Sequence, residues 1–353
     1  MADTPDVLRW TTMTPAVNEI KSPNNFVFNL LFAGNEQLMG TRAFEISYLR
    51  RGRQIAPFVK RNGAAIMISG HNEDFATVQP PHIRIKRPME PTDLFNTRRA
   101  GTTIFIDESE QERAIDEYMA RELQNLTDDA DESVEWLAAN ILRGTVSYVS
   151  EDEASFEIVT PRSATHDYAL ASGSFWDETP NIRKDFFDVA RLINTDVGGN
   201  PTDVLMGEEA AEHFMDDSTI ASKLDNRNID AGTLQLMEQF NEAGAIFLGR
   251  LFNGVRCWEY SRKVSVNGTE ESLIRPKYAE FVTNTRAAQN TTYYGVIEDM
   301  KALSENGGSI RSRRFAKSWE EEDPSVRVAL LETNPLPLPR RPDSTVSVKV
   351  VSG

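Results

Sequence analysis

The residues able to do chemistry are numerous but poorly arranged for it. Four histidines, His71, His82, His166 and His213, show no metal-ligand spacing between any two of them. Cys257 is the only cysteine, so neither a thiolate zinc cluster nor an internal disulfide can form. His166-Asp167 has the types of a general base and its orienting carboxylate, but no nucleophile motif accompanies it. Asp129 and Asp131 have Asp-x-Asp spacing, yet in so acidic a helical stretch a solvated face is the commoner reading. There is no Gly-x-Ser-x-Gly elbow, no phosphate-cradling glycine loop and no dinucleotide fingerprint, and Gly198-Gly199 follows a helical pattern rather than a strand. The expectation is a protein that is not an enzyme and uses no cofactor or metal.

What the chain does carry is a reversal of charge near residue 100. Residues 42–99 hold eleven Lys/Arg against five acids, and residues 107–157 hold sixteen acids against three arginines. The chain as a whole has a net charge of −16, so its average surface repels nucleic acid and anionic membrane. A basic segment beside an acidic one suggests two surfaces made to meet, between copies of the chain. On the basic side the candidate contact residues are Arg50, Arg51, Arg53, Lys60, Arg61, Arg84 and Lys86. On the acidic side they are Glu117, Asp128, Asp129 and Asp131.

The elements that would position these residues follow from periodicity. With 353 residues, 40% of them apolar, the chain can bury a large core. Its N-terminus lacks the pattern of a signal peptide, and no apolar run is long enough to span a bilayer, so a soluble, cytoplasmically made protein is expected. Residues 1–41 form an arm with an apolar cluster at Phe26–Phe32, expected as a short helix on the core. In 42–68 the alternation of Phe44, Ile46 and Tyr48, then Ile55 to Val59, then Ala64 to Ile68 predicts strands, with a turn at Asn62-Gly63. Residues 69–81 read as polar and irregular, and His82–Lys86 as the returning strand. An isolated ribbon of this kind is marginal in water and needs a partner surface.

Residues 107–143 contain no Pro or Gly, and apolar residues recur at helical spacing from Ile115 to Leu142, predicting one long helix. The acidic stretch 127–132 is a candidate break. Strands follow at 145–149 and 155–159, a helix at 181–194, a strand at 201–206, a helix at 207–215 and two Asn-Gly hairpins, at 245–260 and 264–274. Two strands, 326–331 and 345–351, flank a proline-rich tract at 334–339 that reads as an extended connector. Arg311, Arg313 and Arg314 read as a surface salt-bridge cluster.

The order of these parts resembles the major capsid proteins of lambda-like tailed phages, the capsid E family. The residues that carry the resemblance are Phe44–Leu49 and Ile55–Val59 of the loop, the helix Glu108–Leu142, and the closing segment Phe315-Ala316-Lys317-Ser318-Trp319, Asp323-Pro324, Pro335–Leu338 and Val346–Val351. The resemblance implies the Hong Kong 97-type capsid fold, of the α+β class. It further implies an N-terminal arm (1–41), an extended loop (42–99), a peripheral domain with a spine helix (100–160), an axial domain (161–324) and C-terminal strands that return to the peripheral domain (325–353). It implies pentamers and hexamers of the chain in an icosahedral shell around double-stranded DNA, bound without sequence specificity. A scaffold, a portal and a trimeric decoration protein are implied partners, with assembly in the host cytoplasm, residence in the virion and no membrane. Lys60 and Asn62 lie on the loop, but self-crosslinking is not carried over from other branches of the fold. An encapsulin-like compartment shell and a soluble enzyme using a carboxylate pair in 161–324 are the alternatives. The basic segment reads as an intersubunit strap rather than a DNA-binding arm.

Overall fold

The computed structural model describes residues 9–20, 25–50, 72–90, 108–149, 155–220, 244–251, 254–284, 290–306, 309–323 and 326–353, with the backbone alone for 49–50, 72–74 and 108–114. The helix expected at 107–143 is the central element. Helix α1 spans Trp10–Glu19, α2 spans Phe26–Leu31, and α3, the spine, runs without interruption over Glu108–Leu142. At the α-helical rise its 35 residues span about 52 Å. It stops where Gly144 takes a φ of +92°, a conformation that other residues adopt only with strain.

A three-stranded antiparallel sheet covers the first half of α3, with Val326–Thr333 between Phe315–Glu321 and Ile83–Met89. Alternate residues of that sheet, Ile85, Met89, Ala316, Ala329 and Leu331, pack on Met119, Leu123, Leu126 and Ala130 of α3 and on Met13 and Val17 of α1. The second half of α3 enters the largest cluster, where Val134, Leu137, Ala138 and Ile141 meet Phe26, Val27, Phe28 and Leu31 of α2 and Phe44, Ile46 and Tyr48 of the loop. A six-stranded sheet forms a separate core. Its order is Asp167–Ala169, Thr345–Lys349, Tyr278–Val282, Asp203–Met206, Val255–Tyr260, Ala245–Leu251. Helices α4 (Ile182–Asp196) and α5 (Glu208–Asp216) pack on it through Phe186, Val189, Ile193 and Phe214. A short helix, α6 (Met300–Asn306), lies before the strand Phe315–Glu321.

Helix α2 shows how the N-terminal arm is fixed. Phe26, Val27, Phe28, Leu31 and Phe32 are all buried, and full burial of such side chains is worth roughly 1.5–3 kcal/mol each. Glu135 of α3, itself fully buried, accepts the Val27 N–H at 2.7 Å and the Phe28 N–H at 2.9 Å. It therefore caps α2, whose first backbone N–H groups would otherwise lack partners. The Tyr260 hydroxyl donates to the same carboxylate at 3.0 Å, so one side chain joins arm, spine and the six-stranded sheet. Burial raises the Glu135 carboxyl above its ordinary range, and the N–H and O–H donors pull the other way.

Four expectations are corrected. The strand that returns against Phe44–Arg50 is Asn72–Val78, antiparallel, with Phe44 opposite Val78 and Ile46 opposite Ala76. Residues 83–89 instead form an edge strand of the sheet on the spine, because Ile85, Arg87 and Met89 share the parity that faces α3. Pro88 is tolerated there because this strand is at the edge. Second, the helix does not break at 127–132, for a reason given below. Third, the proline tract is a strand, Pro335–Pro339, paired with Asn290–Tyr294. Proline at every second position leaves the Leu336 and Leu338 N–H groups on one edge, which suits an edge strand. Fourth, the final strand, Thr345–Lys349, does not join the sheet on the spine but pairs with Tyr278–Val282, burying Val346 and Val348 in the other core. The strands and turns expected at 51–71 lie outside the described residues.

Glu135→Ala is expected to cost roughly 2–5 kcal/mol, because two buried N–H groups and a hydroxyl lose their acceptor, whereas Tyr260→Phe costs about 1 kcal/mol. Urea unfolding of both variants measures this, and equal losses would contradict the capping role.

Candidate intersubunit surface

Strand parity sorts the basic residues of 83–89 into two faces. Ile83, Ile85, Arg87 and Met89 turn toward the spine, while Arg84 and Lys86 are exposed on the other side. Arg87 reaches Glu122 at 3.0 Å and Asp129 at 3.1 Å, both on α3 of the same chain. Arg84 lies 3.7 Å from Glu332, the residue opposite it on the neighbouring strand. Lys86 forms no ion pair among the described residues.

The acidic stretch of the spine is compensated by arginines from three other segments. Besides Arg87 on Asp129, Arg262 pairs with Glu132 at 2.9 Å. Arg314, nearly fully buried, contacts Asp131 and donates to the carbonyls of Val17 at 3.2 Å and Ile20 at 3.1 Å. Those carbonyls belong to the C-terminal end of α1, where a cation is favoured. Thr127 is accommodated by donating its hydroxyl to the Leu123 carbonyl at 2.7 Å. With the carboxylates of Asp129, Asp131 and Glu132 each facing a guanidinium, like-charge repulsion along α3 is relieved and the helix continues.

The expected contact residues are therefore distributed unevenly. Asp131 is buried in the Arg314 pair, and Asp129 is exposed but already meets Arg87. Glu117 is exposed and Asp128 half-buried, and neither forms an ion pair among the described residues. None of the four touches Arg84 or Lys86. Arg50 continues the ribbon opposite Asn72, but its side chain, and Arg51, Arg53, Lys60 and Arg61 entirely, lie outside the described residues.

The partnering roles of Arg87, Arg262 and Arg314 were not legible from charge counts alone. The available signal for Arg87 was its parity with Ile85 and Met89; for Glu135 it was its place among Val134, Leu137 and Ala138. Other chemistry-bearing residues are held within the fold. His166 is fully buried, with Nε2 2.8 Å from Asp196 and Nδ1 3.0 Å from the Thr345 carbonyl oxygen, so its partner is not the adjacent Asp167. Cys257 is buried in the six-stranded sheet, and burial pushes its thiol pKa far up. Arg313 pairs with Glu36 at 3.4 Å. Among the described residues no group of His, Cys, Asp and Glu is arranged to hold a metal ion, and no helix is long and apolar enough to cross a membrane.

Residues 9–350 match the sequence profile of phage major capsid protein E. A prophage protein of E. coli CFT073, assigned as its capsid protein, superposes with a TM-score of 0.67 at 19% identity, covering 98% of this chain and 99% of its own. A phage-related protein from Bordetella bronchiseptica RB50 gives 0.52 at 11% identity, with 96% of each chain covered. The capsid of Ralstonia phage GP4 gives 0.50 at 10% identity, with 95% and 94% covered. No curated protein sequence matches the chain. The chain belongs to the phage major capsid protein E family and has the Hong Kong 97-type capsid fold; such proteins self-assemble into the icosahedral shell of the virion.

Arg314→Met is expected to leave Asp131 as an uncompensated buried carboxylate and to cost about 3–5 kcal/mol. Arg87→Met, whose pairs are partly exposed, should cost less than about 1 kcal/mol. Chemical denaturation of both variants checks the difference, and comparable small losses would contradict the buried clasp.

Proposed function

We propose that this member of the phage major capsid protein E family builds a phage head from pentamers and hexamers, with the extended loop of one subunit laid across the spine helix of the next. The head would enclose double-stranded DNA held without sequence specificity. A scaffold and a portal would act during assembly in the host cytoplasm, and a trimeric decoration protein on the finished shell. The observation that carries the shell-forming role is the family match over residues 9–350.

The strap is supported by charge and by register. In sequence the basic residues Arg50, Arg51, Arg53, Lys60 and Arg61 come directly after the segment anchored by Phe44, Ile46 and Tyr48. Glu117 and Asp128 lie on one side of the spine, about three turns apart, away from the side held by Arg87. An exposed ion pair is worth only about 0.2–1 kcal/mol. A closed symmetric shell repeats it around every capsomer, so weak contacts suffice for assembly while wrong encounters stay reversible. Complementary charge also favours encounter in the correct register.

Replacing Arg50, Arg51 and Arg53 together with Glu should abolish or strongly reduce shell formation while leaving the thermal unfolding of the subunit unchanged. Sedimentation and negative-stain electron microscopy of the purified chain provide the readout. Normal shell yield from the triple variant at low salt would sink the strap, and a wild-type chain that stays monomeric under all assembly conditions would sink the shell-forming reading itself.

A further inference from the structure

The extended loop leaves the body of the subunit through two legs, residues 39–43 and 79–82, and both rest on the same support. Arg42 of the first leg pairs with Glu298. In the second leg, Pro80 packs against Gly295, where a Cβ would meet Pro80 Cγ at 3.2 Å and Asn334 Cβ at 3.2 Å. His82 Nδ1 lies 2.7 Å from Asn334 Oδ1, and Asn334 in turn donates its Nδ2 to the Val296 carbonyl at 2.7 Å. Between the legs and this support is a cleft of about 300 Å³ lined by Arg42, Pro80, His82, Arg84, Glu298 and Glu332.

Glu332 is the unusual member. Its side chain is only 3% exposed, yet the basic groups nearest it are half exposed and lie beyond hydrogen-bond distance, His82 at 3.9 Å and Arg84 at 3.7 Å. Glu332 cannot move away, because its strand is paired on both sides, with Phe315 and with Arg84. Four titratable or charged groups face it: His82 from the leg, Arg84 from the edge strand, Lys317 from the strand on its other side, and Asp299 from the turn before α6. Asp299 and Lys317 contact each other, so the cation of one is largely offset by the anion of the other.

We propose that the root of the extended loop is a proton-dependent latch, with both legs held against residues 295–298 and 332–334 while Glu332 carries a proton and loosened when it ionises. A neutral carboxyl is buried here at little cost. An ionised one has its charge partners only at 3.7 and 3.9 Å where it sits, and it gains by fuller hydration once the legs lift from the cleft. Burial raises the Glu332 carboxyl above its ordinary range; His82 and Arg84 pull it down, and Asp299 adds to the rise. A group whose folded pKa is raised stabilises the closed form fully below its unfolded value and loses that contribution as pH rises through the folded value. Acid therefore closes the root, and rising pH frees it. The latch belongs to the single subunit and does not depend on the strap.

Hydrogen–deuterium exchange on the full chain tests this, with rates corrected for the intrinsic pH dependence of exchange and the α4 amides as internal reference. Amides of 44–50 and 72–78 should exchange several-fold to roughly tenfold faster, relative to α4, at about pH 8 than at about pH 5. Glu332→Gln, a permanently neutral isostere, should keep them slow at both values. Glu298→Gln, which cuts only the Arg42 pair, should speed exchange by a similar factor at both values. Equal protection of the wild-type root at the two pH values would overturn the latch. So would a Glu332→Gln chain that keeps the wild-type contrast, or a Glu298→Gln chain that loses it.

Discussion

The subunit depends on compensating the negative charge of its own spine. A 35-residue helix with Asp128, Asp129, Asp131 and Glu132 in sequence is a poor element on its own. It holds because Arg87, Arg262 and Arg314 arrive from an edge strand, a hairpin segment and the start of the strand Phe315–Glu321. The same contacts then arrange everything else. Arg314 fixes the end of α1, Arg87 fixes the edge strand that follows the loop, and Glu135 fixes α2 and meets the Tyr260 hydroxyl. Buried charge of this sort is not a cheap route to stability, because desolvation offsets most of the attraction. Its value here is positional, since each pair tolerates one arrangement of distant segments.

Much of this was legible in the sequence. The spine helix was readable to its last turn because thirty-odd residues without Pro or Gly, carrying an apolar stripe, admit little else. The Asn-Gly hairpin at 263–272 was readable from its turn: Asn267 and Gly268 both take positive φ, as a tight two-residue turn requires. The loop's return strand was not, because Asn72–Val78 begins with three polar residues and exposes Phe75, so its alternation runs weakly and on the unexpected face. The proline strand was masked by a residue type that usually excludes pairing, and only its edge position makes it possible.

The candidate surface divides along the same line. Charge counting located the two segments that meet but not which meeting occurs within one chain. Strand parity decides it: residues sharing a face with Ile85 and Met89 turn to the subunit's own spine, and those on the other face do not. Asp131 looked like part of a solvated face and is instead buried, because the arm and the Arg314 segment fold over it, contacts nearly two hundred residues apart in sequence that no local pattern announces.

In this account arginines compensate the subunit's own spine, while the loop's remaining basic residues serve a neighbour. Electron cryomicroscopy of the assembled shell, at a resolution that shows side chains, tests this most directly. The account predicts Arg50, Arg51 or Arg53 of one subunit within salt-bridge distance of Glu117 or Asp128 on the spine of an adjacent subunit, with Arg87 still on its own Glu122. Loop arginines that turn instead to their own chain or to the packaged nucleic acid would contradict it.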